Sequence, residues 1–318
     1  MSPGATVMAA DLSLPGDPRP IAQLQPTAVI QLGKTADWVA VTADAVWVGS
    51  TGPNAVHRID PKTNKVVATV ELTGEPCAGL AVGFGSVWVP LCGRPSTLAK
   101  VDGTRNVVSA IFQTGPAARE GGITTSTDSV WLVTDKEGSL ARIDPYTGAV
   151  RQIVRVPAGS FNPRFQEGRV WVTRADGAEI TAVEAASGAV LGTTKTGPGP
   201  RFLTWGAGSI WTFNQGDGSL TRIDVHSRRA THTIPLGTPG EGGDIAFGGG
   251  MIWTTMPKVP LSAVDAADSK LLCQWVGPGG DSLGIGHDAL WLTDYHGGTV
   301  SRLELRDAVT QCRRRAPV

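Results

Sequence analysis

The chain has 318 residues, with 28 Lys+Arg balanced by 28 Asp+Glu, 41 glycines, 22 prolines, and ten tryptophans against two tyrosines. A net charge of zero gives no general attraction to nucleic acid or to an anionic membrane surface. No apolar run approaches the ~20 residues that span a bilayer, so the length leaves two average domains or one large all-β domain.

In chain order, residues 1–25 read as an N-terminal tail without the basic start and apolar core of a signal peptide. That leaves a mature secreted start or a cytosolic one. Residues 26–32, "PTAVIQL", match a strand with no repeat before them. From there the tryptophans set the frame: "DAVWVGS", "GSVWVPL", "DSVWLVT", "GRVWVTR", "GSIWTFN", "GMIWTTM" and "DALWLTD" bring Trp47, Trp88, Trp131, Trp171, Trp211, Trp253 and Trp291 into register. The spacings are 41, 43, 40, 40, 42 and 38 residues. Behind each Trp comes a second signature such as "LARIDPYTGAV", where Pro presets φ and Gly accepts φ > 0 in a tight turn. Repeats of this period, rich in alternating β-branched residues, predict an all-β seven-bladed β-propeller of four-stranded antiparallel blades over residues 26–318. Each Trp sits on strand b and is expected in the core between blades. Arg58, Arg142, Arg222 and Arg302 recur with strand c and are read as structural. Residues 26–32 are expected to close the ring as a strand d of blade 7. The tail "DAVTQCRRRAPV" also resembles a strand d, and which of the two takes the outer position stays open.

Four cysteines allow three full pairings. Counting outward from a Val82–Val87 pair brings Cys77 opposite Cys92 on the a–b hairpin of blade 2, at disulfide distance. Cys273 on strand d of blade 6 is expected to pair with Cys312 and pin the C-terminus. These bonds are preferred to four free buried thiols, and they imply an oxidising compartment, periplasmic or secreted. No Cys/His zinc pattern is present.

In a propeller the d–a and b–c connections share the face around the channel mouth, where ligands usually bind. Only one of the five histidines, His296 in "TDYHGG" (293–298), falls in a b–c loop, beside Tyr295. This argues against a four-histidine iron site. Strand-a starts bring Trp38, Glu120, Arg164, Arg201, Glu241, Asp244 and Asp281 to this face. The b–c loops bring Arg174, Asn214 and Asp294. "NPRF" (162–165) and "GPRF" (199–202) suggest that Arg164, Arg174 and Arg201 form a patch for an anion. The alternative is that each is paired with a local acid.

The "VWV…RIDPxTGxV" blades resemble the streptogramin (virginiamycin B) lyase-like propellers and the wider YVTN, YncE-like group, over nearly the whole chain from residue 26. That resemblance implies a lyase that opens a cyclic depsipeptide ester with a magnesium ion. In that family the last blade reads "EPHGI" and carries a Glu four residues after its Trp. Here Asp281 stands at the His, Gly279 at the first Glu and Tyr295 at the later Glu, so the lyase residues are not retained.

Two functions follow as expectations. The first is a lyase or hydrolase on an anionic or lactone-type substrate. His296 or Tyr295 would be the base, with Glu241 and Asp244 as alternatives, and the three arginines would hold the substrate beside Trp38, Glu120, Asn214, Asp281 and Asp294. Because the arginines and the Tyr-His pair lie on different blades, such a substrate must reach across the channel. The second is a non-catalytic monomeric propeller that binds a protein, peptide or glycan.

Overall fold

The computed structural model describes residues 14–314. Seven sheets, each built on four antiparallel strands, form the blades in chain order. Blade 1 consists of Thr35–Val41, Val46–Thr51, Ala55–Asp60 and Lys65–Glu71, and the pattern repeats through to blade 7. The strand-b tryptophans named above are at most 1% exposed. Trp88, Trp211, Trp253 and Trp291 each donate their indole N–H to the carbonyl of the glycine five residues earlier, at 3.0–3.2 Å. The Trp thereby ties its own a–b turn while filling the space between blades.

The strand-c cations complete this unit. Arg58, Arg142, Arg222 and Arg302 lie over their cross-strand Trp rings at 5.1–5.9 Å. Three of them also reach into the c–d turn of the next blade, as Arg142 does to Ala186 O at 2.9 Å. They are structural links between blades. The turn itself is set by Asp144, which accepts the backbone N–H groups of Tyr146 and Thr147 at 2.8 Å, while Gly148 takes φ +73°.

The N-terminal segment closes the ring: Ala28–Gln31 pairs antiparallel with Thr299–Glu304 as the outer strand of blade 7. The C-terminal stretch is a helix, Leu305–Arg313, where the sequence suggested a strand d. Ala28–Gln31 already holds the position beside Thr299–Glu304 that a strand d would take. Its apolar residues Leu305, Ala308, Val309 and Cys312 recur at helical spacing and pack against blade 6. Residues Pro18–Pro20, within the expected tail, add a parallel strand to the outside of blade 6.

Both expected disulfides are present, Cys77–Cys92 with Cα atoms 5.7 Å apart and Cys273–Cys312 with 5.4 Å. The first is reached by a different register from the one counted. Val82 does face Val87, but Cys92 lies opposite Glu75, because strand a of blade 2 loses its pairing over residues 77–80.

Candidate functional site at the channel mouth

Strand a of each blade runs along the central channel, and at the mouth several of these strands are irregular. Trp38 is an extra residue between Asp37, opposite Gly49, and Val39, opposite Val48. Arg201 is likewise extra between Pro200 and Phe202. A bulge of this kind re-aims the side chain out of the blade. Trp38 holds φ +59° and Glu120 φ +63°, a region costly for residues with a Cβ.

Trp38 is 5% exposed and packs against Phe202 of blade 5 with ring centroids 6.2 Å apart, beside Leu80 of blade 2. It belongs to blade 1 and reaches across the channel, so it roofs the lumen and floors the mouth.

Around that roof the carboxyl groups converge. Asp37, 7% exposed, accepts the backbone N–H of Trp38 at 2.7 Å and the hydroxyl of Ser282 from blade 7. Asp281 accepts the backbone N–H of Gly243 at 3.1 Å and stands beside Asp37. Burial, then Asp281, then Glu120 push the Asp37 carboxyl well above its ordinary range, and burial raises Asp281 as well. Two carboxyls crowded in a desolvated site resist ionising together. Burial and the charge of Asp281 push Glu120 up to about 7, against the opposing pull of Arg201 and Arg119. Glu120 is held in place by its backbone N–H, which donates to Cys77 O at 2.8 Å. The Cys77–Cys92 bond therefore braces this acid.

The cations of the mouth are largely occupied. Arg119 binds Glu75 through both nitrogens, at 2.7 and 2.5 Å. Arg201 lies 4.5 Å above the Phe161 ring. Tyr295 is half-buried and stacks edge-on against the exposed His296 at 5.2 Å. Burial, with the nearby Asp37, Glu75 and Glu120, raises the Tyr295 hydroxyl above its ordinary value. Asp294 caps its own loop by accepting Gly297 N–H at 3.0 Å, and its charge adds to the rise at Asp281.

The remaining candidates lie elsewhere. Arg174 turns along the rim to Asp176 at 3.1 Å and Glu179 at 3.2 Å, nearer partners than any ligand in the channel. Arg164 is inside the lumen below the roof. The three arginines thus do not form one patch. "NPRF" and "GPRF" differ in register: Arg164 faces its blade's Trp171, whereas Thr204, not Arg201, faces Trp211. Asn214 is fully buried inside blade 5, bonded to Thr212, Ser219 and Thr221, and is closed to any ligand. Glu241 is exposed on its loop. Asp244 lines the lumen, accepts the N–H groups of Ile245 and Leu283 at 2.7 and 3.2 Å, and is pushed up to about 7 by burial.

Among the described residues, no group of three or more His, Cys, Asp or Glu side chains is disposed to hold a metal ion. The magnesium implied by the lyase resemblance does not fit this arrangement. The acid at Asp37 carries one signal legible in the sequence: a carboxylate at a strand start otherwise built for the channel.

No protein-family profile matches the chain, and no curated protein matches it in sequence. Among solved structures it is similar to the crystal structure of BamB from Moraxella catarrhalis, with a TM-score of 0.63 and 10% identity over 88% of this chain and 99% of that one. This likeness extends to the β-propeller fold.

Proposed function

We propose that this protein is an extracytoplasmic propeller that binds a small ligand at the acid-lined mouth of its channel, and that the ligand carries a protonated amine. The observation that carries this reading is the convergence of Asp37, Glu120 and Asp281 from blades 1, 3 and 7, each with its carboxyl raised. Carboxyls crowded in this way resist ionisation until a cation arrives, and an ammonium group supplies that cation while donating three hydrogen bonds. An anionic substrate is the poorer fit, because Arg119 is spent on Glu75 and Arg174 on the rim, which leaves Arg201, its Nε unpartnered, beside the acid Glu120. Tyr295 and His296 form the blade 7 wall of the site. The two disulfides support a location in an oxidising compartment.

A catalytic version of the same site is favoured by one observation: a Glu120 carboxyl at about 7 can both give and take a proton near neutral pH. In that version Glu120, rather than His296, is the acid–base group. The resemblance to lyase-like propellers is compatible with either version.

Calorimetric titration with a panel of primary amines and matched neutral alcohols tests the proposal. Amines should bind and alcohols should not, and Asp281→Asn and Glu120→Gln should each weaken amine binding by about 10-fold or more. Equal binding of amines by the wild type and both variants would sink it.

A further inference from the structure

The central channel below Trp38 is a distinct space. It encloses 480 Å³, within the range of about 300–1,000 Å³ usual for small-molecule pockets. The strand-a residue facing the strand-b Trp is small in six blades: Ala40, Ala81, Thr124, Thr204, Ala246 and Gly284. In blade 4 that position is Arg164. Six small residues leave the lumen open, and the seventh projects a guanidinium into it.

Arg164 is exposed to the open space of the lumen, which the strands of the seven blades surround. It forms no hydrogen bond or ion pair with any described residue, and only the charge of Asp244 across the lumen acts on it. The strand-c arginines, by contrast, are held by aromatic faces and turn carbonyls. A cation that stays ionised at any pH the protein meets, facing the channel with no partner of its own, is free to take an anion there. On the same wall the indole Nε1 of Trp38 is buried and also lacks a partner. Toward the a–b end the wall becomes apolar and aromatic, with Phe165, Trp205, Phe247 and Ile285 keeping partial exposure.

We infer that the channel is a second ligand site, for a small molecule with an apolar body and one carboxylate, the carboxylate seated on Arg164. A carboxylate matches the planar guanidinium fork with two parallel hydrogen bonds. The apolar body would lie toward Phe165, Trp205 and Phe247. A single negative charge fits best, because Asp244 shares the lumen and repels a second. The inference does not depend on the amine site at the mouth, since Trp38 and Phe202 lie between the two.

The test uses the full chain with benzoate and hexanoate as probes, and with benzamide and sodium chloride as controls, read by calorimetry and thermal shift. Arg164→Ala restores the residue type that three other blades carry at this register, and Arg164→Gln keeps a long polar side chain. Either alone suffices if the other fails to fold. Both carboxylates should bind the wild type and benzamide should not, and each variant should bind carboxylates about 10- to 100-fold more weakly. Asp281→Asn, at the mouth, should leave benzoate binding unchanged. The inference is overturned if neither carboxylate binds, if the Arg164 variants bind equally well, or if benzamide or chloride protects as strongly. It is equally overturned if Asp281→Asn abolishes benzoate binding, which would place the carboxylate at the mouth.

Discussion

At the mouth of the channel, single side chains do work that their residue types alone do not announce. Asp37, Glu120 and Asp281 are ordinary surface acids in the sequence, yet burial raises all three, and the charge of Asp281 adds to the rise at Asp37 and Glu120. This has a consequence for stability. In the unfolded chain Glu120 loses its proton near the ordinary glutamate value, whereas in the folded protein it holds it until about 7. Its favourable contribution is therefore complete in acid and is lost as pH rises from about 4.5 through 7. Glu120→Gln should accordingly leave the melting temperature nearly unchanged at pH 5 and raise it at pH 8, by an amount equivalent to about 2–3 kcal/mol at most. A melting curve of the variant that tracks the wild type at both pH values would contradict this account. His296 was singled out from sequence because it is the one histidine in a b–c loop. The structure leaves it exposed beside Tyr295, while burial and neighbouring charge raise the carboxyls of the mouth. Proton affinity follows from enclosure and neighbouring charge, neither of which is visible in residue spacing.

The blade is the element at which sequence and structure agree most closely. A strand-b Trp, a strand-c Arg and an Asp-initiated turn recur together because each blade needs the same three things: a filled interface, a link to the next blade and a tight return. The departures come where one strand meets a different environment. The bulges at Trp38 and Arg201, and the broken register at residues 77–80, all lie at the start of strand a, where the chain crosses from the outer edge of one blade to the channel side of the next. The helix Leu305–Arg313 is the other departure, and its disulfide makes a prediction. Cys273→Ser frees the last helix from blade 6, and loss of this cross-link should cost about 2–4 kcal/mol. Limited proteolysis should then cut first within the C-terminal helix. Unchanged melting and unchanged cleavage would mean that packing of Ala308 and Val309 alone holds it.

Across the whole molecule, closure of the ring depends on a strand borrowed from the far end of the chain. Ala28–Gln31 fills the edge of blade 7 left by Thr299–Glu304. Removing residues 14–31 should expose that edge and give a protein that unfolds at lower temperature and aggregates from the melted state, whereas removing residues 1–13 should not. Static light scattering during a thermal ramp distinguishes the two, and equal behaviour of both truncations would show that the closing strand is dispensable. The seven Trp-centred repeats were sufficient for the blade count and the ring, because repetition copies the same local physics and a period of about forty residues is legible without coordinates. They were not sufficient for the site. The seven strand starts meet only once the ring closes, and only then do acids separated by up to 244 residues, Asp37 and Asp281, stand side by side. Only then, too, does Arg164, one letter in "NPRF", stand in a channel whose other six blades leave it room.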